Sequence, residues 1–129
     1  MSTSWIWHSL LVGAGGFLGS VFRFGAGGLV YRLLGSTTLP YGTLLVNVAG
    51  CFAIGFFGGL GDSRQLIGTE LRLFLFIGVL GGFTTFSAFG YETLVLVRAA
   101  DSSRAALNVA LNVIAGLLAV SAGYGLGRS

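Results

Sequence analysis

The chain has 129 residues, of which 54% are hydrophobic and 9% charged, and its mean hydropathy is +0.90. A soluble domain carries roughly 25% charged residues to keep its surface wet, and seven basic with four acidic side chains fall far short, which excludes a soluble enzyme or a disordered tail and leaves a polytopic membrane protein. The net charge of +3 comes without any basic cluster or stripe, so the partner is a lipid bilayer and no nucleic acid.

The opening segment, Met1-Ser-Thr-Ser-Trp5-Ile-Trp7-His8, lacks the basic region of a cleavable signal peptide and reads as mature protein, with Trp5 and Trp7 at the membrane interface. A bilayer core of ~30 Å is crossed by about 20 apolar residues. The first such stretch is predicted over 5–31, with Arg23 as its one charge. Arg23 stands ~27 Å along the helix from Trp5, close to the opposite interface. There it either snorkels or gives a vestibule the positive potential that draws anions in. Gly15-xxx-Gly19 has the spacing of close helix contact, as do Gly55-xxx-Gly59, Gly78-xxx-Gly82 and Gly123-xxx-Gly127 further on. Most of the 23 glycines are expected to serve that packing. Gly13-Ala-Gly15-Gly-Phe-Leu18 has only a superficial likeness to a dinucleotide fingerprint, since the third glycine is missing and no strand precedes it.

The second span is predicted over 41–61, between Pro40 and Asp62, and holds no charge. Asn47 lies near its middle with Thr43 one turn before. An intramembrane amide is costly without partners, and its two protons are donors. Cys51 is the single cysteine, so no intrachain disulfide is possible.

The third span, over 71–98, is the informative one. Its run 73–97 would make ~37 Å of straight helix, longer than the hydrocarbon core. At the midpoint the residues read Gly81-Gly82-Phe83-Thr84-Thr85-Phe86-Ser87-Ala88-Phe89. Paired glycines and three hydroxyls fill a lipid-facing helix poorly and break one well, so a break is expected over 81–86, the alternative being a kink with Thr and Ser back-bonding to the preceding turn. Broken helices at mid-membrane line cavities and expose carbonyls to cations and N–H groups to anions. Phe83, Phe86 and Phe89 recur every third residue and would form one stripe. Positive ring edges beside the hydroxyls of Thr85 and Ser87 make a polar lining free of cations, suited to a small, hard anion. Valine at Gly81 is expected to crowd the break. Glu92, further along, needs a hydroxyl, an Arg or the Asn set as partner.

The fourth span is predicted over 105–127, with Asn108 and Asn112 four apart on one face, as pore lining or as interhelical glue. The charged links are 32–40, 62–72 and 98–104. Alternating strand segments of ~10 residues, the mark of a barrel, are absent. Arg64, Arg72 and Arg128 fall on one side of such a bundle and Arg32, Arg98 and Arg104 on the other. That tie allows insertion both ways round, and hence an antiparallel homodimer, although small counts also tie by chance. One His, one Cys without a base beside it, and no carboxylate pair or metal-ligand cluster argue against an enzyme.

These residues resemble the Fluc (also called CrcB) family of fluoride channels. The likeness runs through Gly15, Gly16, Gly19 and Arg23, then Pro40-Tyr-Gly-Thr43-x₃-Asn47-x₂-Gly50, then Gly78-x₂-Gly81-Gly82-Phe-Thr84-Thr85-Phe86-Ser87-x-Phe89-x₂-Glu92. Asn108 and Asn112 occupy positions where the family places polar residues, often Tyr and Ser, and one departure stands out, Ala88 where many members have Thr. The resemblance implies an all-α integral membrane protein of the bacterial inner membrane. It implies four transmembrane helices, the third broken at mid-membrane, in an antiparallel dual-topology homodimer with two pores. It implies that Phe86 and Phe89 face fluoride, that Asn47 donates to it, and that Thr43, Thr85, Ser87, Asn108 and Asn112 extend the path. A structural sodium ion would be held by the backbone carbonyls of Gly81 and Thr84, two from each subunit. The expected function is passive fluoride export that protects against fluoride toxicity. The alternatives are a small dual-topology multidrug/proton antiporter, which needs an acid in the first helix where this chain has Arg23, and a non-conducting assembly subunit, which leaves the Thr84-Thr85-Phe86-Ser87 centre without a purpose.

Overall fold

Among the described residues four helices are long and apolar enough to cross a membrane: α1 (Thr3–Leu34), α2 (Tyr41–Arg64), α3 (Thr69–Arg98) and α4 (Ser102–Arg128). The computed structural model describes residues 3–64 and 67–129. Residues 1 and 2 of the opening segment and 65 and 66 of the second link lie outside the described residues. No strand occurs among those described.

The helices run further than the apolar spans. Arg32, Arg64, Arg72, Arg98 and Arg104, expected in the links, all sit on helical backbone. Helical hydrogen bonds cost nothing extra at the headgroup layer, and an arginine there can turn its head to water while its stem covers apolar surface. The turns are correspondingly tight. α1 stops at Gly35, whose φ of +69° lets its N–H donate to the Tyr31 carbonyl at 2.9 Å, a left-handed cap open to glycine without steric cost. Between α3 and α4, Ala100 takes the left-handed conformation and Asp101 caps α4 by accepting from the Arg104 backbone N–H at 3.2 Å. That N–H, and after it the Arg104 guanidinium, hold the Asp101 carboxyl below the usual carboxylate range.

Packing is pairwise: α1 lies along the first half of α3, and α2 along the second half of α4. Both pairs touch backbone to backbone. A Cβ on Gly15 or Gly19 would fall inside the contact distance of the Phe74 and Val79 carbonyl oxygens. Gly55 and Gly59 meet the Val120 and Tyr124 carbonyls in the same way, and Gly123 and Gly127 return the contact onto Phe52 and Phe56. Lipid supplies no hydrophobic drive between helices, so this close approach must hold them. The expectation for Gly81 needs correction. A Cβ there meets only the Phe76 carbonyl oxygen at 3.6 Å, an ordinary contact, whereas at Gly82 it would lie 2.6 Å from the Gly16 oxygen. The crowded member of the pair is Gly82, because that residue and not Gly81 faces α1.

Polar side chains tie the helix ends together. The Trp7 indole N–H donates to Glu70 at 2.8 Å, and the Tyr124 hydroxyl donates to Asp62 at 2.9 Å. Wide π-helical turns occupy Leu73–Leu80, just before the break in α3, and Leu111–Ala115, around Asn112. Such turns often mark functional stretches of a helix.

Candidate functional site

Two N–H groups that would continue α3 are taken by side chains instead. In an unbroken helix the Thr85 N–H would donate to Gly81 and the Ala88 N–H to Thr84. Here the Thr85 N–H donates to Asn47 Oδ1 at 2.9 Å, and the Ala88 N–H donates to Thr85 Oγ1 at 3.2 Å. Thr84 (φ −81°, ψ 159°) and Thr85 (φ −151°, ψ 114°) are accordingly extended. The helix resumes at Phe86 with Thr85 as its cap. Back-bonding also occurs, since the Thr84 hydroxyl donates to the Leu80 carbonyl at 2.9 Å, but it accompanies a true break. The Thr84 γ-methyl occupies the space that a Cβ on Gly50 would need, so the glycine of α2 admits the break.

Asn47 staples this segment. Its Nδ2 donates to the Thr85 carbonyl at 3.2 Å while its Oδ1 accepts from the same residue's N–H. The Nδ2 also donates to Asn112 Oδ1 at 3.1 Å. The Gly81 and Thr84 carbonyls are left without their usual helical donors. The Thr84 oxygen accepts from Arg23 Nη1 at 3.3 Å. Arg23 therefore turns in to the break, where the freed carbonyl offers it a partner.

A cavity of about 340 Å³ on one side of the break is lined by Arg23, Tyr31, Tyr41, Thr43, Thr85 and Glu92 among others. The Thr43 hydroxyl donates to Glu92 Oε1 at 2.6 Å, and the buried Glu92 Oε2 has no partner among the described residues. A second cavity, of about 350 Å³, is lined by Asn47, Gly81, Thr84, Phe86, Phe89 and Asn112, and Thr85 borders both. The rings of Phe86 and Phe89 meet edge to face, centroids 5.4 Å apart at 63°. Phe89 is buried, whereas Phe86 is 82% exposed in the single chain.

The expected site residues thus divide between two cavities that share Thr85. Ser87 borders neither, but its hydroxyl lies 3.3 Å from that of Thr85. Asn108 borders neither as well: it is 1% exposed, and its Nδ2 donates to Thr93 Oγ1 at 3.0 Å. Phe83 leaves the stripe, because the extended residues after it turn the second half of α3, and its ring lies beside Gly50. Thr93 was missed by sequence reasoning. Its one signal was a hydroxyl one turn after Phe89, whose carbonyl it bonds at 2.8 Å.

The family model described as CrcB-like protein, Camphor Resistance (CrcB), matches residues 10–124. The fluoride-specific ion channel FluC of Dehalococcoides mccartyi is 48% identical over 118 residues, 92% of this chain and 90% of that protein. The protein of the same name from Opitutus terrae is 49% identical over 117 residues, 89% of this chain and 88% of that one. The one from Methylobacillus flagellatus is 40% identical over 121 residues, 94% of each chain.

Proposed function

The chain belongs to the CrcB-like family, and from that premise we infer that it is a fluoride-specific ion channel of a bacterial membrane and not an enzyme. One observation carries the mechanism: a polar break inside an apolar helix, with a cavity on each side and Thr85 bordering both. Fluoride gives up its hydration shell only where donors replace it. The second cavity offers the Thr85 hydroxyl and the positive edges of Phe86 and Phe89, and beside them the Asn47 and Asn112 amides, whose protons would have to turn from their present acceptors to meet an anion. Among the described residues no full positive charge lines it, so an anion is held weakly enough to leave. On the other side of Thr85, Arg23 supplies positive potential that draws an anion in, opposed there by Glu92, whose Oε1 is engaged by the Thr43 hydroxyl. Neutral HF crosses a bilayer and dissociates inside, so a passive leak for the anion suffices to export it.

The working unit we propose is an antiparallel homodimer. The tied Arg tally supports it, and so does Phe86, whose 82% exposure leaves a ring of the polar lining uncovered unless a second copy closes the cavity. A sodium ion fits the donor set, since the Gly81 and Thr84 carbonyls of two copies would hold it after losing their helical donors, and Thr84 shares its oxygen with Arg23. When bound, such an ion satisfies buried carbonyls and glues the two breaks together.

Fluoride efflux from liposomes containing the purified chain, with chloride as comparison, tests the transport reading. Fluoride should leave rapidly and chloride should stay; equal rates or no fluoride movement would overturn it. Topology has its own test. Reporter fusions at the C-terminus should be found on both sides of the membrane, and a chain inserted in a single orientation would sink the antiparallel dimer.

A further inference from the structure

We propose that Asn108 is a positioning residue of the ion pathway: buried where α4 meets the second half of α3, it orients the Asn112 amide and, through it, the Asn47 amide that staples the break. The observation is a hydrogen-bond series in which every link points the same way. Asn47 Nδ2 donates to Asn112 Oδ1 at 3.1 Å, Asn112 Nδ2 to Asn108 Oδ1 at 3.2 Å, and Asn108 Nδ2 to Thr93 Oγ1 at 3.0 Å. The Thr93 hydroxyl ends the series on the Phe89 carbonyl at 2.8 Å. Each group accepts at one atom and donates at another, so the links polarise one another.

A primary amide carries its acceptor and its donors at different corners, so turning one member forces the next. Asn112 shows its oxygen to Asn47 because its own Nδ2 is held by two acceptors of Asn108, the carbonyl oxygen at 3.0 Å and Oδ1. Without the Asn108 side chain, one of those acceptors is gone. Asn112 can then turn its Nδ2 toward the Nδ2 of Asn47, donor against donor, and Asn47 loses the partner that completes its grip on Thr85. Asn108 has no access to either cavity, yet its series ends on two residues of the second one, Asn47 and Phe89. A residue that lined the pore would act by touching the ion. Asn108 acts by setting the orientation of a group that does.

The proposal rests on the fluoride reading only for its transport readout, and the experiment separates the two. Asn108→Leu removes the amide at similar volume, and Thr93→Val removes the terminal acceptor while leaving Asn108 in place, so the second variant carries the test if the first does not fold. The side-chain amide resonances of Asn47 are followed in the ¹⁵N-labelled full chain, assigned by their loss in Asn47→Asp. Both variants should shift those resonances. Fluoride efflux in Asn108→Leu should fall about tenfold, the scale of one oriented hydrogen bond. Added to Asn112→Leu, the same substitution should cost less than about twofold, because the two act in series. An unmoved Asn47 resonance in both variants, or losses that multiply in the double variant, overturns the proposal. If the wild-type chain moves no fluoride, the transport reading fails, and the Asn47 resonance still decides the role of Asn108.

Discussion

Asn47→Asp is expected to abolish fluoride efflux, by about a hundredfold or more, while the protein still elutes at the size of the assembled wild type. Aspartate keeps an acceptor for the Thr85 N–H but replaces the Nδ2 donor with a second acceptor. That atom then faces the Thr85 carbonyl and Asn112 Oδ1, at positions where donors now sit at 3.2 and 3.1 Å. Two hydrogen bonds are lost at ~0.5–1.5 kcal/mol each. A carboxylate bordering the second cavity also repels an anion by several kcal/mol at low dielectric, even with generous screening. Each ~1.4 kcal/mol on a barrier is tenfold in rate, so the two effects together exceed a hundredfold. Efflux at the normal rate in this variant would remove Asn47 from the pathway.

Gly19→Ala should fail for a different reason, through the fold. A single methyl at this position would penetrate the Val79 carbonyl oxygen and press on the Phe83 nitrogen at 2.8 Å, both of them backbone atoms that cannot swing aside. α1 would have to part from α3 along the seam that Gly15 and Gly82 share, opening the contact that stands in for a hydrophobic core in lipid. We expect a loss of ~2–3 kcal/mol or more, in the range of other overpacked contacts, and little folded protein. Gly13→Ala is the control: nothing lies within 4 Å of its added methyl, and its better helix propensity should leave the yield unchanged or improved. The thermal midpoint of each variant in the same detergent measures the difference. A Gly19→Ala chain as stable as Gly13→Ala would show that the seam is looser than its geometry.

Much of this architecture was legible beforehand. Charge spacing marks the four spans, and hydroxyls beside paired glycines at the centre of the third mark a place where a lipid-facing helix does not belong. Chemistry was legible too, since ring edges, hydroxyls and amides without a nearby cation suit an anion before any neighbour is known. Identities alone were less informative about glycine. Gly81 and Gly82 look equivalent in the sequence, yet only Gly82 is pressed against α1, because adjacent helical residues point about 100° apart and the choice belongs to the partner helix.

Local composition, then, determined a membrane protein with four spans, the position of the break and the kind of ion that its lining suits. Tertiary structure alone decided which groups hold the break. The Thr85 N–H finds Asn47 across 38 residues, Arg23 finds the Thr84 carbonyl across 61, and Asn47 finds Asn112 across 65. It also buried Asn108 away from both cavities, turned Phe83 off the stripe and brought Thr93 into the network. The physical reason is one of range. Helical periodicity fixes the relation of residues within a turn or two, but a buried polar atom must find a partner wherever the packed helices place one, and that placement depends on backbone contacts spread over the whole bundle.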